Sequence, residues 1–285
     1  MAFYSLFCVS CNKKQQVSTS EFQLKDTLEL SDTLEQVKQI VYQMTTPEDM
    51  AKIFSHSNVV YNAMLENSPA NAQRYSSSYQ AAVNLGVYGV DVCYARAFNK
   101  MQDVQNLLQS IRLLASQLGV PKKYYETMLN YSGQVPSKDS LAIRSISFYN
   151  NVNQHLNTNG QAGLAALTVY GAWVESLYIL AHCSTSDTLS ASLIEKVALQ
   201  KYALQNLYNL LENYVDDVQI QNIQLSLKDI RSIYSKIEIR GDSSSTHLDR
   251  KNKTILSKNF CASVTVNDVR EIFNTTNMLR ALIIR

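Results

Sequence analysis

Turn formers are scarce in this chain. Eight Gly and four Pro among 285 residues are too few for a succession of hairpins, each of which needs its own turn residues. They favour long helices instead. Charge of one sign is lacking as well: 26 Lys and Arg against 24 Asp and Glu give a net +2. No strong field exists to attract nucleic acid or an anionic surface, so no nucleic-acid partner is expected. Cysteine occurs five times. Beyond Cys8 and Cys11 the remaining Cys93, Cys183 and Cys261 are an odd number, which does not imply a complete disulfide framework. Cys93 and Cys183 have apolar neighbours and read as small core residues. Catalytic signatures are missing too. No H-E-x-x-H, E-x-x-H pair, G-x-S-x-G, P-loop or dinucleotide fingerprint occurs. No cofactor is expected, and the four histidines (His56, His155, His182 and His247) are scattered.

The composition that remains is that of a folded domain. Hydrophobic residues make up 46% of the chain, enough for one large core or two smaller ones. Tyr, at 17 copies against a single Trp, fills a core while keeping a hydroxyl for a partner or water.

The first fourteen residues, MAFYSLFCVSCNKK, carry the one localisation signal. An apolar run from Ala2 to Val9 ends in Ser10-Cys11, and a polar, Ser/Thr/Gln-rich stretch follows. That order suits a lipoprotein leader: an apolar segment enters the membrane, a small residue precedes the cleavage point, and the Cys11 thiol takes a lipid. The leader lacks the basic residues that usually precede the apolar core, and Cys8 stands where Leu is usual. Cys8 and Cys11 also form a C-x-x-C, but without a βαβ context or a second pair for zinc. Residues 12–22 are too polar to fold alone and read as a tether.

From residue 23 onward the pattern is helix after helix. Residues 24–44 are the first, with Asp32 and Glu35 as a capping signal. Thr46-Pro47-Glu48-Asp49 opens another. Asn71 to about Phe98 follows. Met101, Val104, Leu107, Leu108, Ile111, Leu114, Ala115 and Leu118 then make an apolar stripe at helical spacing, closed by Gly119 and Pro121. A shorter helix is expected at about 122–131, then one at 138–157 that ends near Asn159-Gly160. Residues 161–182 are almost wholly apolar. They are long enough to span a membrane, but Glu175 lies away from the ends. A central ionised residue is unfavourable by about 2.5–3.5 kcal/mol on insertion scales, which favours a buried central helix. Leu193 to Tyr214 and Ile220 to Ile237 each show a further stripe. Residues 240–262 read as a polar loop, long for a compact domain, and about 267–282 as a last helix. Arg240-Gly241-Asp242 in that loop matches a short adhesion tripeptide too common to carry weight. Arg250, Lys251, Lys253 and Lys258 give it a basic face.

Two octets share the pattern L-x-V-Y-G-x-x-V: Leu85 to Val92 and Leu167 to Val174. Their offset of 82 residues suggests two related helical halves, about 71–157 and 161–238, with these two helices at the centre. Glycines there would let the backbones approach closely. Each helix also carries an acid in apolar surroundings, Asp91 and Glu175, where an unpaired charge is costly. Glu175, Tyr178 and His182 share one helical face, and Tyr88, Asp91 and Tyr94 share a face of the other. Packed together, these six residues could line a polar pocket for a cation or small polar ligand. They could equally form a satisfied hydrogen-bond network, with Arg96 pairing one of the acids.

The V-Y-G-V-D-V and V-Y-G-A-W-V-E segments, behind a cysteine-terminated leader, resemble all-α lipoproteins of the bacterial envelope, a group with no assigned activity. The resemblance implies location and fold alone. The expectation is an all-α multi-helix bundle with two pseudo-repeated halves. Residues 1–11 are a signal or its remnant, 12–22 a tether, and 23–285 one domain. The chain would be anchored to a membrane of the cell envelope by a lipid on Cys11. It would act as a non-enzymatic binding or scaffolding module for a protein partner. The alternative is a small-ligand or metal-ion site on the buried acids, and an envelope enzyme is a third class.

Overall fold

The computed structural model describes Ile40 and residues 60–125, 138–182, 191–241, 246–249, 254–257 and 260–285. It is an all-α bundle with a small β arm. The helices are α1 (Ser78–Ala97), α2 (Met101–Gln117), α3 (Lys138–Thr158), α4 (Ala162–His182), α5 (Ala191–Glu212), α6 (Val218–Ser226), α7 (Lys228–Ser235) and α8 (Val266–Ile283). Short 3-10 turns, Ala63–Leu65 and Pro69–Arg74, precede α1.

α1 and α4 are the centre. Both are buried on nearly every side, as expected of helices that are apolar all round. α4 is long and apolar enough to cross a membrane by length and composition alone, yet 83% of that stretch is buried inside the bundle. The two helices meet backbone to backbone. A methyl group added at Gly86 would sit on the Thr168 carbonyl oxygen, and one at Gly171 on the Val83 carbonyl oxygen. From Gly86 to Asp91 along α1, the contact moves from Thr168 and Ala172 to Glu175 along α4, so the pair runs in one direction.

Local chemistry explains most helix ends. Ser77 and Gln80 close a reciprocal capping box at the start of α1, and Thr265 and Asp268 do the same for α8. α2 stops as the sequence predicts: Gly119 adopts φ 71°, and the Val120 N–H returns to the Ala115 carbonyl at 2.9 Å. Gly160, also at φ 71°, ends α3 in the same way.

Several boundaries differ from expectation. The helix expected from Asn71 begins only at Ser78, because Ser68-Pro69 starts a separate 3-10 turn. Only Lys122–Tyr124 of the expected 122–131 helix is seen as a 3-10 turn; residues 126–131 lie outside the described residues. The stripe from Ile220 to Ile237 breaks at the buried Leu227 into α6 and α7. The 240–262 region is not simply a loop. It holds β1 (Glu238–Gly241), β2 (Thr246–Asp249), β3 (Thr254–Ser257) and β4 (Phe260–Ser263). β1 pairs antiparallel with β4, and β2 with β3 nested between them. Arg240 and Gly241 of the adhesion-like tripeptide therefore lie in a paired strand. The expected basic face, the helix start at Thr46, and the leader with Cys8 and Cys11 lie outside the described residues. Of the expected 24–44 helix only Ile40 is described; it is helical and fully buried.

Candidate functional site

The α1–α4 pair brings Asp91 and Glu175 together at its C-terminal half. Both are fully buried. Glu175 is held by Arg280 of α8: Nε donates to Oε2 at 2.8 Å and an Nη2 proton goes to Oε1 at 3.0 Å. This two-pronged pairing is the geometry in which arginine holds a carboxylate best. The same Nη2 also donates to the Leu65 carbonyl at 2.7 Å. Asp91 takes the Asn67 N–H on Oδ2 at 3.0 Å. Its Oδ1 finds no donor among the described residues, and the carboxyl group lies against Glu175.

Two carboxyl groups in contact with one arginine require a proton. Burial raises the Asp91 carboxyl well above its usual range, and the Glu175 charge raises it further. Burial raises Glu175 as well, but the Arg280 charge and hydrogen bonds oppose that shift. The proton therefore belongs to Asp91, which donates it to Glu175 while Glu175 stays ionised against Arg280.

The other expected residues gather around this core. The Tyr88 hydroxyl donates to the Ser68 carbonyl at 2.8 Å. Tyr94 accepts the Asn62 N–H at 3.0 Å and its ring stacks on Tyr61. The Arg280 guanidinium stands over the Tyr178 ring, 3.9 Å from its centroid. His182 is exposed and lies against Tyr178, its Nδ1 2.9 Å from the Tyr178 carbonyl. Among the described residues no three His, Cys, Asp or Glu side chains stand close enough to hold a metal ion. A cation entering here would have to displace Arg280.

Sequence reasoning missed several members of the network. Asn67 donates through its side chain to Tyr75 and Asn84, and Asn84 donates to the Ile283 carbonyl. Arg280 is the largest omission. One signal pointed to it: Arg280 lies on the buried stripe of α8 with Val269, Ile272, Thr276 and Leu279. An arginine on an apolar stripe needs an acid, and the chain offers two in apolar helices.

At the other end of the helix pair lies a cleft of about 530 Å³. Val83, Tyr170, Ile223, Leu282 and Ile283 make it apolar, while Gln80, Gln219 and Asn222 supply amide groups at its edge. Its described lining carries no charged side chain, and no member of the Asp91–Glu175–Arg280 set reaches it. Tyr170 is buried, which pushes its hydroxyl up to about 12, opposed by a hydrogen bond with Ser226. Comparison with protein-family models, curated proteins and solved structures finds no match for this chain.

Proposed function

We propose that the protein is a non-enzymatic binding module whose cleft takes an uncharged molecule with an apolar body and a hydrogen-bonding edge. The cleft itself carries this reading. Its volume falls in the range of small-molecule sites, its floor is apolar, and its few polar groups are neutral amides and hydroxyls. A charged ligand would lose hydration there and gain no counter-charge. The acid network supports the same division of labour, because both Glu175 oxygens and Asp91 Oδ2 meet the chain's own donors.

Titration with the neutral fluorophore N-phenyl-1-naphthylamine tests the cleft. Saturable binding is expected, weakened at least about tenfold by Ile223→Arg, a change that puts a charge in the apolar floor. The sulfonated analogue, 8-anilinonaphthalene-1-sulfonate, should bind more weakly. Unsaturable binding, or binding indifferent to Ile223→Arg, would overturn the assignment.

The module is further proposed to sit in the bacterial envelope on a lipid carried by Cys11. The Ala2–Val9 apolar run, Ser10-Cys11 and the polar stretch behind them support this. Metabolic lipid labelling that is absent from wild type, or retained in Cys11→Ala, would sink it. The two octets are read as remnants of a duplicated half. In both the tyrosine reaches a serine on a neighbouring segment: Tyr88 meets Ser68, and Tyr170 meets Ser226. Superposing α1–α2 on α4–α5 in experimental coordinates tests this, and unlike crossings of the two helix pairs would refute it.

A further inference from the structure

We propose that residues 60–67 form a proton-operated latch, closed over the α1–α4 pair when two protons sit among four carboxyl groups and released at its Tyr61–Glu66 contact when one proton leaves. Hydrogen counting carries the argument. The Tyr61 hydroxyl lies 2.7 Å from Glu66 Oε1 and 2.8 Å from Asp103 Oδ2. A phenol has one hydrogen to donate, so with both acids ionised one of these contacts would set lone pairs against each other. A second proton completes the set. Tyr61 then donates to one carboxylate and accepts from the other, protonated acid. The Asp91–Glu175 contact demands a proton on the same grounds, because Arg280 already occupies both Glu175 oxygens.

The two protonated sites lie on two sides of one short segment. On its outer side Tyr61 bridges Glu66 and Asp103 of α2. On its inner side the Asn67 N–H meets Asp91 and the Leu65 carbonyl meets Arg280. Leu65 and Asn67 are buried, whereas Glu66 between them is partly open to solvent. Glu66 is thus the proton site that solvent reaches.

The groups facing Glu66 set the direction. Tyr61 touches it, and the Asp103 charge acts on it from the far side of the Tyr61 hydroxyl. The Glu175 charge on α4 acts through the interior, and Lys100 stands over the Tyr61 ring at 5.2 Å from the centroid. Arg280 is committed to Glu175 and Leu65. Burial, followed by the Asp103 and Glu175 charges, raises Glu66 to about 7, against the opposing hydrogen bond from Tyr61. An acid raised on docking binds its proton more tightly in the closed form. Closure is therefore strongest at acid pH, weakens as pH rises from the ordinary glutamate range to about 7, and levels off above that.

Amide hydrogen exchange at pH 5.5 and 8.5, corrected for intrinsic rates, reads the latch. In the wild type, protection of residues 60–67 relative to α4 should fall about tenfold between the two values. Glu66→Gln should stay protected at both, since a neutral amide serves where the protonated acid did. Should Glu66→Gln fold poorly, Asp103→Asn removes the same carboxylate pair from the other side and should flatten the profile too. Wild-type protection that ignores pH, or the same pH dependence in either variant, would overturn the proposal.

Discussion

The two ends of the α1–α4 pair treat polarity in opposite ways. At the C-terminal end the helices bury two acids, and the donors they meet come from distant parts of the chain, Arg280 of α8 and Asn67 before α1, with the Leu65 carbonyl accepting from Arg280. At the N-terminal end they leave a neutral, half-apolar cleft with solvent access. The backbone contacts at Gly86 and Gly171 lie between them. The contrast teaches that a buried charge marks a binding site only when its own fold leaves it short of partners. Here, among the described residues, the charged end meets donors from the chain itself, and the uncharged end opens into a cleft.

The sharpest way to break the comparison is to separate the helices. Gly171→Val would drive a branched side chain into the Val83 carbonyl. Because the obstacle is backbone, the helices must part, with a loss of about 3 kcal/mol or more. The expected outcome is no cooperative unfolding transition by circular dichroism, with both ends lost together. A stable folded variant would show that the close approach is not required.

Removing the counter-charge tests the charged end alone. Arg280→Met leaves Glu175 buried without its cation and should lower stability by about 3–5 kcal/mol in denaturant titrations. Pairing it with Glu175→Leu should recover much of that loss, because the stranded charge disappears. The same loss in the double variant would mean that packing around Arg280, and not its charge, does the holding.

The smallest effect is the most specific. Asp91 is held protonated, so Asp91→Asn replaces a neutral donor with a neutral donor and should cost within about 1 kcal/mol at pH 5. The sign of the pH effect follows from the raised Asp91 carboxyl. Its contribution is full below the ordinary aspartate range and is lost as pH climbs toward the raised value. The wild type should thus lose melting temperature with rising pH more steeply than Asp91→Asn. Parallel profiles would place the proton elsewhere.

Much of the helical frame was legible because apolar periodicity is local information. The α2 stripe and the ends at Gly119 and Gly160 needed only neighbouring residues, and so did the all-round apolar character of α4. The β arm was not legible. Its strands are four residues each, too short to show an alternating pattern, and paired with partners up to 25 positions away. The break at Leu227 was hidden because an apolar residue there fits an unbroken stripe. At the site, the meeting of Asp91 with Glu175 could be anticipated from the two octets. The closure of that meeting could not, since Arg280 stands 105 positions from Glu175 and Leu65 stands 215 from Arg280. Helical spacing puts His182 on the face of Glu175 and Tyr178, but spacing orders residues around an axis and does not say that the axis reaches solvent at His182.

The long reach of Arg280 also bears on how the protein is made. During synthesis Glu175 leaves the ribosome more than a hundred residues before the guanidinium that neutralises it. At typical elongation rates of about 5–20 residues per second, that interval lasts roughly 5–20 seconds. For that time the central helix pair must keep an acid unpaired or protonated, and the native interior can close only when the last helix arrives.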